Sequence, residues 1–310
     1  MGTVVKKNDN IIVFGATGMF GSELYTEALS RGYDVIGVSR HGPDISVDVR
    51  NENDVRDVII REQPDIIINS AAIVSHALCE DDPKLAHDVN TGAVAVMAAA
   101  AGEVGSRLIQ ISTDHFFSGD GRELHNEEAP IKLLNEYART KYEGENFALT
   151  CPNALVIRTN ITGFRDGGGI VSFMEWVVAS LESHEKFNLF SDYYTSTIST
   201  RQATTALFDL LEHDVQGRIN LACREAASKQ EFVEAVAKRI DRSADQARVI
   251  SVHGVLTARA ESVGLDVSRA EKLLGYRLPD LNDVVDQLVS EYQARKDKIS
   301  ELSRSHVGSI

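Results

Sequence analysis

Three glycines in seven residues, Gly15-Ala-Thr-Gly18-Met-Phe-Gly21, follow the apolar run Asn10-Ile-Ile-Val-Phe14 and open a helical pattern from Met19 to Arg31. Glycine at 15 permits a tight turn out of a buried strand, at 18 it lets the backbone approach a pyrophosphate, and at 21 it lets the helix pack on the sheet. The helix start adds unpaired N–H groups and partial positive charge, which suit a phosphate. Glycines serving only turn and packing would look the same in isolation. Their place between a strand and a helix makes the segment a GxxGxxG form of the dinucleotide fingerprint. The candidate cofactor contacts within it are Gly15, Thr17, Gly18, Met19, Phe20 and Gly21.

The alternation continues downstream. Asp34–Val38 reads as a second strand and Asn51–Glu62 as a second helix, and Pro64 precedes a third strand over Asp65–Asn69. A long Ala-rich helix runs from Pro83 to about Val104, followed by a strand over Arg107–Ser112, a helix over Glu136–Leu149 and a strand over Ala154–Arg158. Continuous apolar strands separated by helices predict a parallel sheet covered on both faces, and right-handed crossovers make it a doubly wound α/β (Rossmann) fold.

Beyond Asn160 the rhythm changes. A flexible loop is expected at Asp166–Gly169, helices over Ile170–Leu181 and Thr200–His213, and a strand over Gly217–Leu221. Ser228 caps a helix ending near Ile240, and two more helices cover Val267–Leu274 and Leu281–Ala294. The charged, Ser-rich tail from Arg295 is expected to fray. A chain of 310 residues exceeds the usual single domain. The expected division is a nucleotide-binding domain over 1–160, rejoined by about 198–222, with 161–310 forming mainly a smaller α/β substrate-binding domain.

The formal net charge of -14, from 46 acidic against 32 basic residues, opposes nucleic acid or an anionic membrane surface as partner. No apolar run is long enough to span a bilayer, and the polar stretch Met1–Asn10 does not read as a signal peptide. Cys79, Cys151 and Cys223 are widely spaced, as in a cytoplasmic protein with reduced thiols. The nine His show no ligand spacing, so no metal site is expected.

The second strand ends Val38-Ser39-Arg40, where NAD-specific folds usually place a carboxylate for the ribose 2′-hydroxyl. Ser39 and Arg40 therefore favour NADP(H) over NAD(H), with Arg40 pairing a 2′-phosphate, although a solvated loop charge would look the same. Asp48 and Val49 stand where the adenine edge would lie, and capping is an alternative role for Asp48. Ala71 and Ala72, after the third strand, complete the candidate cofactor contacts.

Tyr137-Ala-Arg-Thr-Lys141 puts a phenol and an ammonium on one helix face, where the cation is expected to lower the phenol's pKa. A second match, Tyr292–Lys296, lies on a charged helix and reads as a solvated face. Context separates the two. The strand ending Ile111-Ser112-Thr113 delivers hydroxyls to the C-terminal edge of the sheet, where one can donate to a substrate carbonyl while Tyr137 gives up its proton. Asn69 and Asn90 carry structural roles at least as readily as catalytic ones.

Taken together, GATGxxG at 15–21, PDIIINSAA at 64–72, ISTD at 111–114, YxxxK at 137–141 and Leu265-Asp-Val-Ser268 resemble the extended short-chain dehydrogenases, in particular the dTDP-4-dehydrorhamnose reductase branch. The resemblance runs from about residue 10 to 290. It implies a catalytic group of Thr113 on the substrate carbonyl, Tyr137 as general acid, and Lys141 on the nicotinamide ribose. It also implies reduction of a keto group on a nucleotide-linked sugar, with the segment Asp192–Thr197 helping to form the pocket. The chain departs from the branch at His115-Phe-Phe117 and at Arg158-Thr-Asn160, both substrate-facing. His115, Asn160, Tyr193 and Thr197 are accordingly the candidate substrate contacts.

Two other functions fit the same residues. One is an epimerase or dehydratase holding NAD tightly. The other is a non-catalytic NADP-binding partner similar to the regulatory β subunit of methionine adenosyltransferase. Self-association through the Pro83 and Tyr137 helices is also open, though the alanine stripe equally suits helix–sheet packing.

Overall fold

The structure, a computed structural model, describes residues 9–165, 171–183, 185–254 and 261–307. The glycine loop expected at 166–169 lies outside them. Seven strands form the central sheet: β1 (Asn10–Phe14), β2 (Asp34–Ser39), β3 (Ile45–Ser46), β4 (Ile66–Asn69), β5 (Arg107–Ile111), β6 (Leu155–Arg158) and β7 (Gly217–Asn220). All pairings are parallel, in the order β7-β6-β5-β4-β1-β2-β3. The order reverses between β1 and β4, the kind of switch point where open α/β sheets bind ligands.

Strand residues alternate between two cores. Ile11, Val13, Ile66, Ile68, Ile109 and Leu155 pack with Phe20 and Leu24 of helix α1 (Met19–Ser30) on one face. Ile12, Phe14, Ile67, Leu108 and Val156 pack on the other with α2 (Glu52–Glu62), whose Val55 and Ile59 are fully buried. Burial on both faces is why these strands read as continuous apolar runs.

The helix expected from Pro83 to Val104 is divided. A short α3 (His76–Asp81), not foreseen, precedes α4 (Pro83–His87), a π-helical turn over Asp88–Gly92 and α5 (Ala93–Val104). The wide turn seats buried Asn90 where its amide oxygen accepts from Ile73 N (2.9 Å) and its amide nitrogen donates to Thr140 Oγ1 (3.2 Å). Thr140 belongs to α6 (Glu136–Ala148), so Asn90 joins that helix to the segment after β4. Its role is structural, and its buried amide is satisfied as burial requires.

The second half contributes α7 (Phe173–Glu182), α8 (Thr200–Leu211), α9 (Lys229–Arg239), α10 (Ser268–Leu274) and α11 (Leu281–Val307). Ser228 caps α9 in a capping box with Glu231. The tail expected to fray from Arg295 instead continues α11. No glycine or proline interrupts residues 282–307, and Lys296 Nζ donates to Glu182 Oε1 of α7 at 3.0 Å. Tyr292 donates to the same carboxylate, so the second YxxxK pair ties α11 to α7 and is not merely a solvated face. No helix among the described residues is long and apolar enough to cross a membrane.

A buried ion pair fixes α6 to the sheet. Arg158 ends β6 and is 1% exposed, and Glu145 of α6 is fully buried. Arg158 donates through Nε to Glu145 Oε1 (2.9 Å) and through Nη2 to Oε2 (2.8 Å). Its Nη1 donates to Glu127 O (3.1 Å), and Arg218 Nε donates to Glu145 Oε2 (2.9 Å). Phe116 and Phe117 lie 5.2 and 5.4 Å from the guanidinium. Removing Arg158 leaves the buried Glu145 with Arg218 on one oxygen only, and removing Glu145 leaves Arg158 without a carboxylate. Glu145→Leu, which leaves the buried Arg158 without a carboxylate, should therefore lower unfolding free energy by about 3–5 kcal/mol in urea titrations, whereas the double variant Glu145→Leu/Arg158→Met should recover part of that loss.

Candidate active site

The glycine loop is held by the sheet's own backbone. Gly15 has φ +80°, its N–H donates to Val38 O at 2.8 Å, and Gly18 N donates to Gly15 O at 2.8 Å. A Cβ on Gly21 would stand 2.0 Å from Gly15 O, and one on Gly15 would stand 2.7 Å from Ala71 N. Only glycine permits both close approaches. The loop leaves bare backbone at the start of α1 beside a cavity of about 250 Å³ lined by Ala16, Thr17, Gly18 and Met19. That cradle fits a dinucleotide's phosphates.

The other candidate cofactor contacts surround it unevenly. Thr17 Oγ1 donates to Ser39 Oγ at 3.0 Å, Ala71 N donates to Asn69 Oδ1 at 3.1 Å, and Ala72 is half-buried just beyond. Arg40 is exposed at the end of β2. The Phe20 side chain is buried in the core and offers the loop only its backbone. Val49 is likewise a core residue. Asp48 is engaged by Arg50, whose backbone N and Nε donate to Oδ1 at 3.0 and 2.9 Å, and this pairing holds its pKa down at about 2.

At the C-terminal edge of β5 the chain delivers Ser112, Thr113, Asp114 and His115. Tyr137, near the start of α6, stands close enough to the Thr113 side chain to feel it electrostatically. Lys141, one turn on, donates from Nζ to Ile111 O at 2.7 Å. The three residues Thr113, Tyr137 and Lys141 are therefore brought together, all of them buried. The expected lowering of the phenol's pKa is overturned. Burial pushes Tyr137 well above the ordinary value of 10.0, the charges of Asp114 and Cys79 push the same way, and the Thr113 side chain opposes them. Burial also brings Lys141 down to about 8, against the pull of Glu145. Desolvation outweighs pairing for both groups, so Tyr137 stays protonated, which is the form a general acid needs.

Behind Thr113 runs a polar chain. Thr113 Oγ1 donates to Asp114 Oδ1 (3.2 Å), and Asn160 Nδ2 donates to Asp114 Oδ2 (2.7 Å). Thr197 Oγ1 then donates to Asn160 Oδ1 (2.8 Å), and Lys229 Nζ donates to Thr195 Oγ1 (3.0 Å) and Thr197 Oγ1 (3.3 Å). His115 lies edge-on to Tyr137 with ring centroids 5.6 Å apart, and its Nε2 is 3.5 Å from Tyr193 OH. His115, Asn160, Tyr193 and Thr197, four positions dispersed over 83 residues of sequence, thus join one cluster that reaches Tyr137 through His115.

The sequence reading passed over three members of this cluster. Asp114 stood inside the ISTD motif, yet only its burial and its bond to Asn160 reveal its place. His76 stacks on Tyr137 (centroids 4.8 Å) from the unforeseen α3. Lys229, at the start of α9, had no local signal beyond the cap at Ser228. Conversely, Asn69 is spent on Gln110 Oε1 (2.8 Å) in the sheet. Ser112 Oγ is buried and makes no hydrogen bond among the described residues.

Comparison with known proteins follows the same lines. A family model described as the RmlD substrate binding domain matches residues 9–294. The chain is 29% identical over 283 residues to the probable low-salt glycan biosynthesis reductase of Haloferax volcanii, covering 87% of this chain and 94% of that protein. It is 34% identical over 152 residues to dTDP-4-dehydrorhamnose reductase of Salmonella typhimurium, covering 49% of this chain and 50% of that enzyme. Among solved structures, dTDP-4-dehydrorhamnose reductase from Bacillus anthracis in complex with NADP is similar in fold, with a TM-score of 0.83 and 22% identity over 92% of this chain and 99% of that one.

Asp114 gives the site a pH signature. Burial raises its carboxyl from 3.8 to about 6, against the bonds from Asn160 and Thr113 and the charge of Lys229. The folded state therefore binds the proton more tightly than the unfolded chain, and this stabilisation is lost as pH rises through about 6. In urea titrations from pH 4 to 7, wild type should lose stability relative to Asp114→Asn; a constant difference across that range would show that the carboxyl does not titrate there.

Proposed function

The chain belongs to the RmlD substrate binding domain family, and we propose that it is a reductase that uses a nicotinamide cofactor to reduce a keto group on a nucleotide-activated sugar. The observation that carries this reading is the convergence of Thr113, Tyr137 and Lys141, all buried, at the edge of β5, with Lys141 one helical turn from Tyr137 and held by Ile111 O. When bound, the cofactor supplies the hydride that reaches the carbonyl carbon.

The protein's own residues do the rest. Thr113 and Tyr137 present two hydroxyls to the carbonyl oxygen, and Tyr137 delivers the proton that the reduced oxygen takes up. The buried surroundings exclude water and keep the phenol protonated until that moment. Lys141 is assigned to the nicotinamide ribose and is anchored for it by Ile111 O. His115, Asn160, Tyr193 and Thr197 are assigned to the sugar nucleotide, which draws most of the substrate pocket from residues 161–310. In the first half, Gly15, Thr17, Gly18, Met19, Phe20, Gly21, Ser39, Asp48, Val49, Ala71 and Ala72 are assigned to the cofactor.

NADP(H) is favoured over NAD(H). The exposed Arg40 stands at the end of β2 where no carboxylate faces a ribose, and a guanidinium there can pair a 2′-phosphate. The same reading makes the protein cytoplasmic, in keeping with three free, buried cysteines. It leaves α5 and α6 as the helices through which two copies would meet.

Tyr137→Phe removes the proton donor and keeps the ring. Its turnover with a nucleotide-linked 4-keto sugar should fall roughly a hundred- to ten-thousand-fold, while NADPH binding followed by fluorescence stays at the wild-type value. Near-normal turnover in that variant would refute the mechanism.

A further inference from the structure

A dinucleotide's pyrophosphate brings negative charge into a protein of net charge -14, yet no Lys or Arg stands between Ile11 and Ser30 to receive it. The loop and the start of α1 provide backbone N–H groups and a partial charge only. A cation does stand beside the loop, from the other half of the chain. Arg165 lines the same cavity of about 250 Å³ as Ala16, Thr17, Gly18 and Met19, and among the described residues is its one charged lining residue. Its Nε is buried and has no hydrogen-bond partner among the described residues. A guanidinium N–H left in that state costs free energy unless a ligand completes it.

Its backbone is held independently. Arg165 N donates to Glu175 Oε1 (2.9 Å), and Glu175 also closes the capping box of α7 by accepting from Ser172 N at Oε2 (2.7 Å). Arg295 Nη1 of α11 donates to Arg165 O (3.3 Å), and the Arg295 guanidinium lies 5.3 Å from the Phe164 ring. The Glu175 carboxylate accepts from the main-chain N–H groups of Arg165 and Ser172, and the Arg165 guanidinium lies near enough to help hold its pKa down while Nε itself stays without a hydrogen bond among the described residues. Positioning by α7 and α11 fixes where the residue stands while leaving Nε to be completed by something else.

We propose that Arg165 binds the cofactor's pyrophosphate, supplying from the second half of the chain the cation that the glycine loop lacks. This rests on the nicotinamide-dependent reading above. It means that cofactor affinity is set partly by α7 and α11, far from the fingerprint in sequence.

The test is direct binding, without turnover. Arg165→Met should weaken NADPH and NADH by the same factor, roughly ten- to hundredfold, because both carry the pyrophosphate. It should leave 2′-AMP, which lacks a pyrophosphate, at its wild-type affinity. Arg165→Lys should recover part of the loss, and thermal unfolding of each variant reports separately on any structural effect. Arg40→Ala provides the contrast, weakening NADPH alone. Unchanged binding of both dinucleotides by Arg165→Met would overturn the assignment. So would a loss confined to NADPH and 2′-AMP, which would move Arg165 to the 2′-phosphate. If wild type binds neither dinucleotide, the reductase reading itself fails and this assignment goes with it.

Discussion

The Glu145–Arg158 pair is the constraint on which the site depends. A guanidinium 1% exposed at the end of a central strand is stable only if a carboxylate meets it with good geometry, and Glu145 meets it with two hydrogen bonds. That requirement docks α6 at one height and rotation against β6. Four residues before Glu145 on the same helix is Lys141, and eight before it is Tyr137, so the pair also sets where phenol and ammonium stand at the edge of β5. Two other contacts hold the helix: Asn90 and Thr91 bond to Thr140, and Gly144 lets Asn90 O approach where a Cβ would lie 2.2 Å away. Precise placement of Tyr137 and Lys141 follows from this redundancy.

Within that frame, burial has the same cause but opposite consequences for different groups. It raises Tyr137 and Asp114 and lowers Lys141, in every case disfavouring charge. A site that keeps its acid protonated is suited to reduction, where a proton must be given to a developing alkoxide. The polar chain from Thr113 through Asp114 and Asn160 to Thr197 satisfies the buried oxygens, and it connects the sheet edge to elements of the second half of the chain.

Much of the fold was legible because its signals are local. Apolar runs of five residues separated by amphipathic helices identify a parallel sheet, and a glycine fingerprint directly after the first strand identifies the phosphate loop. The misreadings are equally physical. The π-helical turn over Asp88–Gly92 arises from Asn90 reaching back to Ile73, a contact that periodicity does not encode. The continuation of α11 past Arg295 depends on contacts with Glu182 and Arg165, over a hundred residues away in sequence. Phe20 sits inside the fingerprint by sequence, but a helix start has an inner and an outer face, and its side chain takes the inner one.

Sequence by itself determined the doubly wound sheet, the glycine loop and the pairing of Tyr137 with Lys141 on one helix face, because each is written in short-range spacing, whereas Thr113 was singled out by the resemblance to the short-chain dehydrogenases. Tertiary structure alone decided the protonation of Tyr137, since burial opposed the neighbouring cation that the YxxxK spacing brought forward. It also decided which distant side chains complete the site. Asp114 with Asn160, His76 against Tyr137, and Arg165 beside Gly18 are neighbours only after the chain has folded, and a linear pattern carries no record of a contact made across the sheet.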